Sequence, residues 1–164
     1  MVKRQWLTVV LVFAMGFALC SCNEPSADLP VSVAKEVANE SVQEFDGMVY
    51  TLLETDADYV SEGKYAAPKT GYRFVTVKLQ YDNRTDVAKE VSSLLMLSVL
   101  DEEGHEYPIT ITVTDLPETL DGTVAPQSSL TGYAAFEVPQ TTEHLNLQIR
   151  PNLFSDEVVA FVLF

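Results

Sequence analysis

Period-two alternation of apolar and polar residues confines this chain to β-structure more tightly than any other feature. In Tyr72-Arg-Phe-Val-Thr-Val-Lys-Leu-Gln-Tyr81, Val75, Val77, Leu79 and Tyr81 fall on one face of an extended chain. Thr76, Lys78 and Gln80 fall on the other, so the segment reads as a strand with one buried face. Ile109-Thr-Ile-Thr-Val-Thr114 alternates in the same way and predicts a second strand with a β-branched inner face. Further strands are predicted at Met48–Leu53, Leu94–Leu100, Leu130–Val138, Leu145–Ile149 and Val158–Phe164. Turn signals separate them at Asp82-Asn83, Asp101-Glu-Glu-Gly104, Pro117, Asp121-Gly122, Ala125-Pro126 and Pro139. With about seven short strands and no long helical period, the chain is predicted to be all-β. An immunoglobulin-like Greek-key β-sandwich is the expected architecture, with a small barrel as the alternative.

The last strand breaks the alternation. Val158, Ala160, Val162 and Phe164 lie on one face and Val159, Phe161 and Leu163 on the other, all apolar. Such a strand is expected to be covered on both sides. The candidate covers are the stretch around Leu29 to Val33, the long Tyr59–Thr70 connection, or a second molecule.

The N-terminus has a different logic. Lys3 and Arg4 precede an uncharged apolar run from Trp6 to Leu19, shorter than the roughly 20 residues a membrane-spanning helix needs. A basic head, an apolar run and a small-residue exit mark a secretory signal, with an uncleaved anchor or a core helix as the competing readings. The exit, Leu19-Cys20-Ser21-Cys22, resembles the lipobox of bacterial lipoproteins, from which it departs only in having Cys20 at the middle position. The resemblance implies acylation of the Cys22 thiol, cleavage after Ser21 and attachment of the mature chain to a lipid bilayer through Cys22. Residues 1–21 are accordingly assigned as a signal peptide, 22–46 as the lipidated N-terminus and an acidic tether, and 47–164 as the sandwich domain. The tether is polar and small, with the alternation Leu29, Val31, Val33 leaving room for an added edge strand.

Composition then narrows the function. The chain has 2 cysteines, Cys20 and Cys22, so the predicted cleavage and lipidation leave the domain without a free thiol, a disulfide or a thiolate metal site. It carries 24 Asp and Glu against 10 Lys and Arg, a net charge of −14, which argues against nucleic acid and against docking on anionic lipid.

The domain's own motifs resemble those of a family of bacterial lipoproteins of unknown function. The match runs from Gly71-Tyr-Arg-Phe-Val-Thr-Val-Lys-Leu-Gln-Tyr-Asp-Asn83 through Leu97-Ser-Val-Leu-Asp101, Gly104, Tyr107 and Pro126 to Gly132-Tyr-Ala-Ala-Phe-Glu-Val-Pro139. These domains are telokin-like immunoglobulin folds related to a secreted mycobacterial immunogenic antigen, and the resemblance implies that fold here. The chain departs from the pattern at Gln127, where glycine is frequent, and in its longer Tyr59–Thr70 insertion. The matching residues are scaffold: Gly104 and Gly132 by turn geometry and close approach, Phe136 by the core, Pro139 by strand termination.

Chemistry-bearing patterns are few. His105 and His144 are isolated, and no serine sits in a nucleophile-elbow sequence. The acidic turns at Asp56 with Asp58, Asp82-Asn83 with Asp86, and Asp101-Glu102-Glu103 offer oxygen ligands but match no calcium-loop template. No catalytic residue, cofactor or metal is therefore expected. Tyr59, Tyr65 and Tyr72 bracket the long loop and are the candidate binding surface. The expected protein is a monomeric, non-catalytic binding or adhesion domain held outside the cytoplasmic membrane, its partner an envelope protein or ligand. A tethered accessory subunit of an envelope complex and a metal-dependent enzyme are the other readings.

Overall fold

The computed structural model describes residues 41–63 and 66–164. The signal sequence, Cys22, the Leu29–Val33 stretch and Tyr65 lie outside the described residues. In chain order the elements are β1 (Val42–Phe45), β2 (Met48–Tyr59), β3 (Tyr72–Asn83), β4 (Lys89–Val91), α1 (Ser93–Met96), β5 (Leu97–Asp101), β6 (Glu106–Pro108), β7 (Gly122–Val124), β8 (Ser128–Pro139), β9 (Leu145–Ile149) and β10 (Val159–Val162).

Two four-stranded sheets, ordered β1-β2-β3-β8 and β10-β9-β5-β6, pack face to face, and β4 and β7 form a separate ribbon. Every pairing between these strands is antiparallel. β3 takes β8 as its partner along its whole length, from Tyr72 opposite Pro139 to Asn83 opposite Ser128, and β5 takes β9. Partners so far apart in sequence require the chain to cross repeatedly between the sheets, which makes this an immunoglobulin-like Greek-key β-sandwich.

The inner face of β3 is the one the alternation predicts: Val75, Val77, Leu79 and Tyr81 are fully buried. They meet Ala134, Phe136 and Val138 of β8 and, across the sandwich, Leu147, Ile149 and Phe161. Phe74 is also buried, on the face expected to be wet, where it joins Val113 and Ala135 in a small outer cluster with Tyr59 and Leu116.

Val113 arrives there by a route that corrects the reading of Ile109–Thr114 as a strand. Within that segment only Ile109 bridges, to Phe136, with the Thr110 N–H donating to the Ala135 carbonyl at 2.7 Å. Ile111 is 79% exposed. The segment carries the chain from one sheet to the β8 edge of the other, and this crossover overrides its strand propensity. Its continuation runs so close to β8 that a Cβ on Gly132 would stand 2.6 Å from the Thr119 carbonyl oxygen. Gly132 is therefore required by close approach.

Three other expectations shift. Leu94 and Leu95 belong to the helical turn α1, closed by Met96 N–H to the Ser92 carbonyl at 2.9 Å, so the strand starts at Leu97. Among the described residues the last strand is covered more fully on one side than on the other: Val159 and Phe161 point inward and are buried, whereas Val162 on the outer face is 37% exposed. That outer face retains partial shelter, since Ala160 and Phe164 are half-buried and the Arg73 guanidinium lies 5.1 Å from the Phe164 ring centre. Finally, β1 falls within the stretch assigned to the tether. Asp46 and Gly47, at φ 48° and 70°, join it to β2 in a two-residue hairpin turn, with Phe45 opposite Met48. Positive φ at both central residues is the type I′ geometry that Asp-Gly favours. The domain thus begins before Gly47 and has more strands than the about seven predicted.

Candidate functional site

One end of the sandwich is drawn together by a buried amide. Asn83, 1% exposed, presents its side-chain N–H₂ to the carbonyls of Val87, Val124 and Ala125 at 2.7, 3.0 and 3.2 Å. Its Oδ1 accepts from the Thr85 N–H at 3.0 Å and the Thr85 hydroxyl at 2.7 Å. The next residue, Arg84, donates its N–H to the Gly47 carbonyl, tying the β1–β2 turn over the end of β3. On the opposite sheet the Arg150 N–H donates to the Met96 carbonyl at 2.8 Å, which brings the segment after β9 against α1.

These ties surround a pocket of about 290 Å³. Its apolar floor is made by Met48, Tyr50, Tyr81, Val91 and Met96, and its polar rim by Asp46, Lys89, Glu90, Asn152 and Glu157. Tyr81 is fully buried and its hydroxyl has no hydrogen-bond partner among the described residues. Burial, and then the neighbouring Tyr50 phenol, hold the Tyr81 phenol well above the ordinary range. Burial followed by the charge of Asp46 raises Tyr50 to about 12. Both phenols are therefore neutral at any physiological pH, able to donate or accept a hydrogen bond.

On the rim the Lys89 ammonium sits 3.0 Å from the Asp46 carboxylate, and Glu90 accepts from the Thr123 hydroxyl at 2.6 Å. The Glu157 carboxylate is exposed and has no hydrogen bond or ion pair among the described residues. The pocket is amphipathic, with apolar side chains at its base and charged groups at its rim.

The tyrosines predicted to form a binding surface lie elsewhere. Tyr59, at the end of β2, is half-buried in the outer cluster with Phe74; burial and then the Asp115 carboxylate raise its phenol. Tyr72 begins β3, with the Lys69 ammonium 5.6 Å from its ring centre. Tyr65 lies outside the described residues. The loop between them is pinned by two carboxylates. Asp115 accepts from the Ser61 hydroxyl and the Glu62 N–H, each at 2.6 Å, and Glu137 accepts from the Lys69 N–H at 2.6 Å and pairs with its ammonium at 2.9 Å.

The acidic turns are engaged in their own geometry. Asp101 accepts from the Glu103 and His105 N–H groups, the Tyr107 hydroxyl and the His105 Nδ1, all within 2.8–3.0 Å. Asp82 accepts from Gln80 and Ser129, and Asp56 from the Asp58 N–H. Among the described residues no three His, Cys, Asp or Glu side chains gather as a metal site would need. His144 is exposed.

The comparisons agree with this architecture. Residues 38–159 match a protein family described as a domain of unknown function, DUF4352. Among solved structures, ycdA of Bacillus subtilis, described as a candidate lipoprotein, is similar at a TM-score of 0.61 and 15% identity. That alignment covers 76% of this chain but only 38% of ycdA, so the chain spans well under half its length. An uncharacterized β-sandwich protein of Clostridium difficile matches at a TM-score of 0.51 and 16% identity, over 78% of this chain and 92% of that one. The secreted Mycobacterium tuberculosis protein MPT63 gives a TM-score of 0.47 at 12% identity, over 70% and 82%. No curated protein matches the chain.

Proposed function

The chain belongs to the DUF4352 family, and from that premise we propose that it is a lipid-anchored, extracytoplasmic, non-catalytic binding protein whose binding site is the pocket above Tyr81. The lipobox-like Leu19-Cys-Ser-Cys22 sequence supports the anchor at Cys22, and the likeness to ycdA, described as a candidate lipoprotein, is consistent with it.

One observation carries the binding role: a pocket of about 290 Å³ that joins an apolar base of Met48, Tyr50, Tyr81, Val91 and Met96 to a charged rim, gathered from segments distant in the chain. Concave apolar surface with a few polar groups is the form that small-molecule sites take.

The test is a ligand-observed NMR screen of small polar aromatic compounds against the full-length chain and a Glu90→Trp variant. Glu90 is exposed on β4 at the rim, where a large ring obstructs the mouth without entering the core. Compounds that bind the parent should lose their signal with the variant while the melting temperature stays unchanged. Equal signals with both proteins would remove the pocket as the site.

A further inference from the structure

Resting on the reading of the pocket as the binding site, we infer that the loop between β9 and β10 is its lid. The Phe154 ring swings from solvent onto the apolar base and occupies it while the site is empty.

Both ends of the loop stand on the pocket. The first is fixed where Arg150 donates its N–H to the Met96 carbonyl at 2.8 Å, the second where Val159 pairs with Ile149. Pro151, Asn152 and Glu157 line the pocket, so residues 153–156 leave the rim and return to it. At the crest Phe154 is 99% exposed and Leu153 50%. Single exposed apolar side chains are ordinary on a protein surface. What distinguishes Phe154 is its place, a phenyl ring wholly in water between two residues of the rim of a concave apolar surface.

The crest is tied only to itself. The Phe154 N–H donates to Asn152 Oδ1 at 2.9 Å, the Ser155 N–H to the Asn152 carbonyl at 3.2 Å and the Glu157 N–H to the Ser155 hydroxyl at 3.5 Å. Among the described residues, residues 152–157 make their hydrogen bonds with one another and form no ion pair with the body of the domain. The turn can therefore rotate on its two ends as a unit and keep its own bonds, the kind of segment that opens and closes at low cost.

Reach and fit allow the closed position. Consecutive Cα atoms are about 3.8 Å apart, so Phe154 stays within about 8 Å of Asn152 on the rim. An apolar cavity of about 150 Å³ takes up benzene, and this pocket has about 290 Å³. Its base offers the Met48 and Met96 thioethers and the Tyr50 and Tyr81 rings, surfaces that favour an aromatic ring. Withdrawal of the ring from water drives the closure. A compound entering the pocket has to displace the ring, so its apparent affinity is lowered by the fraction of time the site is closed.

Methionine methyl resonances of the full-length chain test the lid with no added compound. A failed ligand screen would strike the binding role, and a failed methyl experiment the lid alone. Of the four methionines, Met48 and Met96 lie at the base of the pocket. A ring that stays 99% exposed touches neither, whereas a ring on the base shifts their methyl signals. Phe154→Ala should therefore move one or both signals, and the parent should show a nuclear Overhauser effect between the Phe154 ring and the methyl that moves. Signals that superimpose in parent and variant would overturn the lid and leave the pocket standing. A moved signal without that Overhauser effect would overturn it as well, since the change would then have come through the end of the loop at Asn152.

Discussion

The rings of Tyr50 and Tyr81 meet edge to face, 4.9 Å between centres and 76° between planes, directly opposite each other in the register of β2 and β3. Cross-strand aromatic pairs of this geometry stabilise a sheet through the rings, with no help from the hydroxyls. Removing the Tyr81 oxygen should therefore keep the packing and relieve an unpaired polar group. Tyr81→Phe is expected to raise the unfolding free energy by about 1–3 kcal/mol in urea denaturation. A loss of stability would mean that the hydroxyl is satisfied and that the pocket floor has been misassigned.

Asn83 should behave in the opposite way. Its amide is the shared donor for three carbonyls on two separate segments, so truncation strands buried acceptors. Asn83→Ala is expected to cost about 1–3 kcal/mol. Asn83→Asp should be worse, because it replaces the donor with an anion facing the same carbonyls. The urea midpoints of both variants decide this; an aspartate as well tolerated as asparagine would contradict the assignment.

The acid side of the stability profile should report Asp101. Burial raises this carboxyl, but the His105 N–H, the Tyr107 hydroxyl and the His105 imidazole outweigh it and lower the pKa to about 2. A carboxyl whose pKa is lower in the folded state contributes stability while it is ionised and loses it as pH falls. The contribution should be complete above about pH 4 and fade between about 4 and about 2. Asp115, Glu106 and Glu137 shift in the same direction, so acid unfolding should gain from several sites. Melting of Asp101→Asn beside the parent from pH 7 to pH 2 should show a gap that narrows below pH 4. A gap that is constant across that range would contradict the proposed pairing.

Anchoring at Cys22 carries its own test. Cys22→Ala should abolish incorporation of labelled palmitate and leave an unprocessed precursor, whereas Cys20→Ala should change little. Label retained by the Cys22→Ala protein would remove the lipid from the account.

What the sequence made legible depended on how local the cause was. The inner face of β3 could be read because alternation under a one-sided core fixes which residues are inside. Gly132 could be read as a close approach, and Gln127, standing where glycine is frequent, takes a φ of 54°. Its side chain bonds the Arg84 and Thr85 carbonyls, a partial reason for tolerating that backbone. Ile109–Thr114 misled because alternation reports propensity but not whether a partner strand is there. β1 was missed although Asp46-Gly47 between Phe45 and Met48 is a strong hairpin signal. Its polar flanks made it resemble the tether. The pocket had no sequence signature, since its walls come from the β1–β2 turn, β3, β4, α1 and the segment before β10. Only tertiary packing brings those together.

Chemical-shift mapping of the full-length chain with the compounds that bind it in the NMR screen tests the central claim most directly. The perturbed backbone amides should cluster at Asp46–Tyr50, Lys89–Val91, Met96 and Asn152–Glu157, with Tyr81 among them. Perturbations gathered instead around Tyr59 and Tyr72 would place the binding surface on the long loop and contradict the pocket.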